Sequence, residues 1–156
     1  WRDWSSDVCS SDLRLAFTDV PASVVDRAGH EFVEEFVAPN LRPDTVARLR
    51  WHLSAGHDVV LVSASYGAYV APLARRLGVQ GALATELQVG PDGRCTGHLD
   101  GPNCRGHEKV ERLRRWLGGR SPRLWAYGDS SGDDELLAMA DHPVRVHSAP
   151  IPEVPL

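Results

Sequence analysis

Seven residues, Tyr127-Gly128-Asp129-Ser130-Ser131-Gly132-Asp133, place two carboxylates four positions apart in a tight loop of glycine and serine. Such a loop makes an oxygen-rich pocket suited to a hard cation such as Mg²⁺. It would equally cap a helix, since Ser, Asp and Gly are good N-terminal residues and acidic groups favour the positive end of the dipole. Ser63 follows the apolar run Asp58-Val59-Val60-Leu61-Val62. Its hydroxyl and the adjacent N–H groups could hold a phosphoryl oxygen, or it could merely cap the next helix. Lys109 lies near the start of a helix after the loop Gly101-Pro102-Asn103-Cys104-Arg105-Gly106. A cation there opposes the dipole unless an anion compensates, although a solvated surface lysine would need no such partner.

Two other chemistries compete. Cys95, His98, Cys104 and His107 spell Cys-x-x-His twice, and tetrahedral zinc accepts those ligands. Residues three apart on a strand point to opposite faces, however, so the predicted strand position of Cys95 and His98 argues against zinc. Gly128-Asp129-Ser130 also resembles part of a serine hydrolase with Ser130 as nucleophile. That chemistry requires a base within hydrogen-bond reach, and none of the seven histidines sits in an interpretable context.

The elements that must position these groups read as an α/β fold. Ala28, Phe32, Val33, Phe36 and Val37 recur at helical spacing between Ser23 and Val37. Pro43 opens a second helix that Gly56 ends, with Val46, Leu49 and Leu53 as its stripe. Val59 to Ser63 is short, β-branched and apolar, as in a strand buried on both faces of a parallel sheet. Tyr66, Tyr69, Val70, Leu73 and Leu77 mark a helix closed by Gly78. Gly81 to Thr85 forms a further strand, and Glu86 to Leu99 a hairpin turning at Pro91-Asp92-Gly93. A helix from Gly106 to Leu117 carries Val110, Leu113 and Leu117 inward. Arg123 to Tyr127 is a third core strand, Glu135 to Ala140 a helix, and Val144 to His147 the last strand. Alternating strands and helices imply right-handed crossovers and a doubly wound parallel sheet.

In order along the chain, these are a serine ending an apolar strand, a lysine opening a later helix, and a Gly-Asp-x-x-x-Asp loop. That series resembles motifs II, III and IV of the haloacid dehalogenase superfamily, in the branch that contains phosphoserine phosphatase. Val59 to Ser65, the hairpin with Thr96-Gly97, Asn103 to Lys109 and Tyr127 to Leu137 carry the likeness, which spans Pro43 to Val146. It implies a Mg²⁺-dependent phosphomonoesterase acting on a small phosphorylated metabolite through an aspartyl-phosphate. By resemblance Asp129 ligates Mg²⁺ and Asp133 completes or orients that site. Ser63, with Ala64 and Ser65, hydrogen-bonds the phosphoryl group, and Lys109 neutralises it. Tyr66 and Asn103 are candidates for the substrate side. Ala64-Ser65 stands where phosphoserine phosphatases usually carry Gly-Gly, which puts phosphoserine itself in doubt.

The nucleophile motif, Asp-x-Asp-x-Thr after a first central strand, is missing. Asp19 in Phe17-Thr18-Asp19-Val20 has neither the second aspartate nor a preceding apolar strand. Asp3 to Leu13 resembles a sequencing adapter translated in one frame, which sets residues 1–13 aside as an artefactual or disordered tail. Residues 14–42 then read as the remnant of a helical cap, 43–148 as the core lacking its central strand, and 149–156 as a disordered tail. The expectation is a truncated, catalytically inactive chain.

Composition narrows the field. The 156 residues carry 17 basic and 21 acidic side chains, a net charge of −4 that gives no reason to expect a nucleic-acid or anionic-membrane partner. No apolar run reaches the roughly 18 residues of a membrane helix. Three cysteines at irregular spacing make no disulfide framework, and a reducing cytoplasmic setting is expected.

Overall fold

The computed structural model describes residues 10–151. Helix α1 (Ser10–Phe17) begins inside the segment read as a tail, and residues 1–9 of that segment lie outside the described residues. Helix α2 (Ala22–Phe32) runs on through a π-helical turn (Val33–Val37) and a 3₁₀ turn (Ala38–Asn40) into α3 (Pro43–Ser54). Asp19 sits in the turn between α1 and α2, at φ 62°. Of the stripe expected on α2 and the turn after it, Val33 is buried and Val37 half-buried, whereas Ala28, Phe32 and Phe36 are exposed and Gly29 is buried instead. Close packing explains the shift. A Cβ on Gly29 would lie 2.1 Å from the carbonyl oxygen of Ala68, so only glycine lets α2 approach α4 (Gly67–Leu77) there. Pro72, inside α4, lacks the N–H that would ordinarily bind that same carbonyl.

Strand β1 (Val60–Tyr66) pairs in parallel with β2 (Gly81–Thr85), Val60 opposite Gly81 and Val62 opposite Leu83. Strands β3 (Leu87–Val89) and β4 (Cys95–Leu99) form the antiparallel hairpin. Helix α5 (His107–Leu117) leads to β5 (Trp125–Gly128), α6 (Asp134–Met139) and β6 (His142–Arg145), with β5 and β6 again parallel. The last strand starts two residues earlier than expected and includes Pro143, which suits an edge strand whose outer side donates no ladder bond.

The α/β architecture expected from the sequence is present. Among the described residues the strands form three separate pairs, and no ladder joins β1 to β5. Leu113, Leu117, Ala126, Leu136 and Leu137 build the core between α5, β5 and α6, with Val60, Val62 and Leu83 packed against it. Every residue of β1 is only half-buried, where burial on both faces was expected. Val46, Leu49 and Leu53 of α3 are likewise half-buried, and the one fully buried residue of that helix is His52. The described part of the C-terminal tail is docked rather than frayed. Arg42 donates to the carbonyls of His147 (2.5 Å) and Ala149 (3.1 Å), and Ile151 N–H donates to Asp44 (2.9 Å).

Candidate active site

Lys109, Asp133 and the end of β1 meet at one point. Lys109 lies in the first turn of α5, 6% exposed, and its Nζ donates to Asp133 Oδ1 at 2.5 Å and to the Val62 carbonyl at 3.3 Å. The solvated-surface reading of Lys109 is therefore excluded. The anion that offsets the helix dipole is Asp133. Asp133 is itself 5% exposed, and its Oδ2 accepts from the Asp129 N–H (3.2 Å), the Ser130 N–H (3.1 Å) and the Ser130 hydroxyl (3.0 Å). Burial pushes its carboxyl up, but the Lys109 hydrogen bond and charge, with the Ser130 donors, outweigh burial and hold it below the ordinary carboxylate range.

The loop is shaped by its glycines. A Cβ on Gly128 would stand 2.4 Å from Asp133 Cβ, so the strand can end beside that carboxylate only as glycine. Gly106, at φ 54° and ψ −126°, starts α5 and donates its N–H to the Gly132 carbonyl at 3.0 Å, tying the lysine-bearing helix to the acidic loop.

The two aspartates have parted roles. Asp133 is the inner partner of Lys109 and, with Ser130, a reciprocal cap at the start of the turn before α6. Asp129 is exposed beyond the end of β5. Mg²⁺ takes one or two carboxylates and otherwise keeps its waters. The loop fits that demand in kind through Asp129, whereas both Asp133 oxygens are already engaged by the protein. Among the described residues no group of three or more His, Cys, Asp or Glu is gathered to hold a metal.

Ser63 accepts a hydrogen bond from the Ser65 N–H at 3.1 Å and lies next to Val62, whose carbonyl holds Lys109. It is not a helix cap, because β1 continues to Tyr66 and α4 starts at Gly67. Ala64 and Asn103 are joined by a residue the sequence reading passed over, Thr85 at the end of β2. Its hydroxyl lies 2.9 Å from the Ala64 carbonyl and 3.0 Å from Asn103 Oδ1, and accepts the Cys104 N–H at 3.0 Å. One polar residue closing the apolar run Gly-Ala-Leu-Ala was the available signal. Asn103 thus holds a loop in place.

The competing chemistries are not assembled. Cys104 is fully buried with its thiol toward the Leu83 carbonyl, Cys95 is buried in the hairpin, and His98 and His107 are exposed. Ser130 donates to Asp133 and is not hydrogen-bonded to a histidine.

Against known proteins, the sequence profile of the haloacid dehalogenase-like hydrolases matches residues 4–138. The protein CicA of Caulobacter vibrioides is 45% identical over 117 residues, 75% of this chain and 53% of that protein. A histidinol-phosphatase of Neisseria meningitidis is 27% identical over 158 residues, 94% of this chain and 71% of that protein. A Bordetella pertussis protein of unknown function superposes with a TM-score of 0.71 at 32% identity, covering 83% of this chain and 60% of that one. A substrate-bound phosphoserine phosphatase shares the fold, with a TM-score of 0.59 at 23% identity over 84% of this chain and 60% of that one. The chain belongs to the haloacid dehalogenase-like hydrolases, and it spans about half the length of CicA.

Proposed function

We propose that this chain is the phosphate- and Mg²⁺-binding portion of a phosphatase that hydrolyses a small phosphomonoester. The observation that carries this reading is the buried Lys109–Asp133 pair, whose ammonium stands against the carbonyl preceding Ser63. Phosphoryl transfer depends mainly on positioned charge, and a lysine already oriented by Asp133 and Val62 meets that demand without rearrangement. With two acceptors satisfied, one N–H of Lys109 remains for a phosphoryl oxygen. Ser63 donates its hydroxyl proton to a second oxygen while its own lone pair keeps Ser65 in place. Asp129 holds Mg²⁺, which when bound offsets phosphate charge, and Asp133 orients the loop rather than ligating. Ala64 and Ser65 shape the wall beside the phosphate, and Asn103 fixes the loop before Lys109. The names of two relatives, a histidinol-phosphatase and a phosphoserine phosphatase, favour a small phosphorylated metabolite as substrate class.

On this reading, hydrolysis needs an aspartate that would attack phosphorus, form an aspartyl-phosphate and lose it to water. The sequence holds no Asp-x-Asp-x-Thr, and on this reading the chain binds phosphate and Mg²⁺ without turnover. Phosphate release from phosphoserine, histidinol phosphate and p-nitrophenyl phosphate, measured with and without Mg²⁺, tests this. Binding of inorganic phosphate that Ser63→Ala weakens and Lys109→Met combined with Asp133→Leu abolishes, with no release, supports the proposal. Mg²⁺-dependent release that Asp129→Asn abolishes would overturn the inactivity.

A further inference from the structure

Strands β1 and β2 keep step only part of the way. Val62 stands opposite Leu83 and Tyr66 opposite Thr85, so Ser63, Ala64 and Ser65 together face Ala84. Bulges are rare between parallel strands, and a bulge re-aims the side chains of the strand that carries it. It also takes backbone groups out of the ladder, and buried ones then need other partners. Thr85 supplies one. It is 2% exposed, and its hydroxyl lies 2.9 Å from the carbonyl of Ala64, the middle residue of the bulge.

The same hydroxyl reaches the loop that leads to Lys109. It accepts the Cys104 N–H at 3.0 Å and lies 3.0 Å from the side-chain amide of Asn103. A hydroxyl has one proton and two lone pairs, and the Ala64 carbonyl can only accept. All three contacts are therefore hydrogen bonds when Thr85 gives its proton to Ala64 and Asn103 turns its NH₂ to Thr85. Other bonds fasten the loop to β2: the Cys104 thiol donates to the Leu83 carbonyl at 3.5 Å, and Arg112 donates to the carbonyls of Ala84 and Pro102. Thr85 ties it to the bulge. Valine would fill nearly the same space in this apolar strand, but would leave the Ala64 carbonyl and the Cys104 N–H without this partner. We propose that Thr85 is a positioning residue: its hydroxyl sets the Ser63–Ser65 bulge at a fixed distance from the lysine loop, so that Ser63 and Lys109 grasp one phosphoryl group together. Buried as it is, Thr85 touches no ligand and acts through those two residues. What they grasp rests on the reading of this corner as a phosphate site. How they are held rests on the bulge and the three contacts.

The full chain, isotope-labelled for NMR, is titrated with inorganic phosphate in Mg²⁺, and the amide shifts of Ser63, Ala64 and Ser65 give the Kd. Thr85→Val should weaken binding about 10-fold or more, the worth of one hydrogen bond to a charged group. It should also quicken hydrogen exchange of the Ser65 N–H, which the bulge holds 3.1 Å from the Ser63 hydroxyl. Thr85→Ser keeps the hydroxyl and should restore both readouts. Leu117→Ala, a core truncation at the far end of α5 from Lys109, lowers stability and should move neither. Wild-type affinity and wild-type Ser65 exchange in Thr85→Val would overturn the proposal. So would losses that Leu117→Ala reproduces or Thr85→Ser fails to restore, since Thr85 would then serve stability alone. If Thr85→Val does not fold, Asn103→Ala cuts the half-buried contact and decides on the same two readouts. A wild-type chain that binds no phosphate, with Ser65 exchange still quickened by Thr85→Val and restored by Thr85→Ser, would sink the phosphate reading and leave the hold on the bulge standing.

Discussion

The two sides of this domain differ in how far their polar groups are satisfied. Around Lys109 the two buried charges are paired: ammonium to carboxylate and carbonyl, carboxylate to three further donors. A few residues away, β1 and β5 line a largely apolar cavity, and among the described residues no strand lies between them. Charge is finished here while the backbone is not. The contrast teaches that a buried charged corner can be held by local helix and loop contacts even where the described strands below it are not joined in one ladder, because α5 and the acidic loop are tied directly through Gly106 and Gly132.

The strongest way to break the contrast is to unsatisfy the finished side. Lys109→Met strands a buried carboxylate and should cost about 3–5 kcal/mol, enough to unfold a marginal domain. Urea denaturation followed by circular dichroism measures it. Lys109→Met combined with Asp133→Leu should recover a substantial part of that loss, since no orphan charge then remains.

The next effects have opposite signs on one strand. Gly128→Ala drives a methyl group into Asp133, and overpacking of this kind costs about 1–3 kcal/mol. Two residues earlier, Ala126→Val adds apolar volume beside the cavity and should stabilise by about 0.5–1 kcal/mol. Midpoints that moved in the same direction would mean that β5 is packed alike along its length and the contrast is false.

What the sequence disclosed follows the same division. Ser63, Lys109, Asp129 and Asp133 were legible as candidates because each sits at a boundary where an apolar run meets a turn, and a polar residue there is conspicuous. Their pairing was not, because Asp133 and Asp129 look alike in a loop and only the Gly128 turn decides which one points inward to Lys109. The strands β1, β2 and β5 were legible from their β-branched and apolar runs, whereas the start of β6 was not, since Pro143 argues against a strand until the edge position is known. Nor could spacing place Gly29, and not Ala28, against α4. The deciding contact is a backbone carbonyl from a distant helix.

His52 gives a smaller effect that reports on the open side. It is 7% exposed beside the cavity, 2.9 Å from both His57 Nδ1 and the Tyr127 hydroxyl. Burial, then the charges of His57 and Arg48, push its pKa down to about 4 from 6.5. The folded state therefore keeps His52 neutral while the unfolded chain protonates it. Its contribution is fully present above about pH 6.5 and is lost as the pH falls towards 4. Because the cavity lets solvent approach, we discount the shift and expect a loss of about 1–2 kcal/mol. Urea midpoints at pH 7.0 and 5.0 should differ by this amount, and His52→Phe should flatten the difference.

Asp129→Asn should have the smallest effect on the fold and thereby sharpen the contrast within the loop itself. Asp129 is exposed, and its backbone N–H, not its carboxylate, is what ties it to Asp133. An exposed substitution free of structural contacts changes stability by no more than about 0.5 kcal/mol. The urea midpoint in EDTA should therefore stay at the wild-type value. In Mg²⁺ the wild-type melting temperature should rise and that of Asp129→Asn should not, because the amide removes the one carboxylate of the loop not already spent on the protein. If the variant instead melted early in EDTA, Asp129 would belong to the finished side of the molecule, and the metal role would fall to another group.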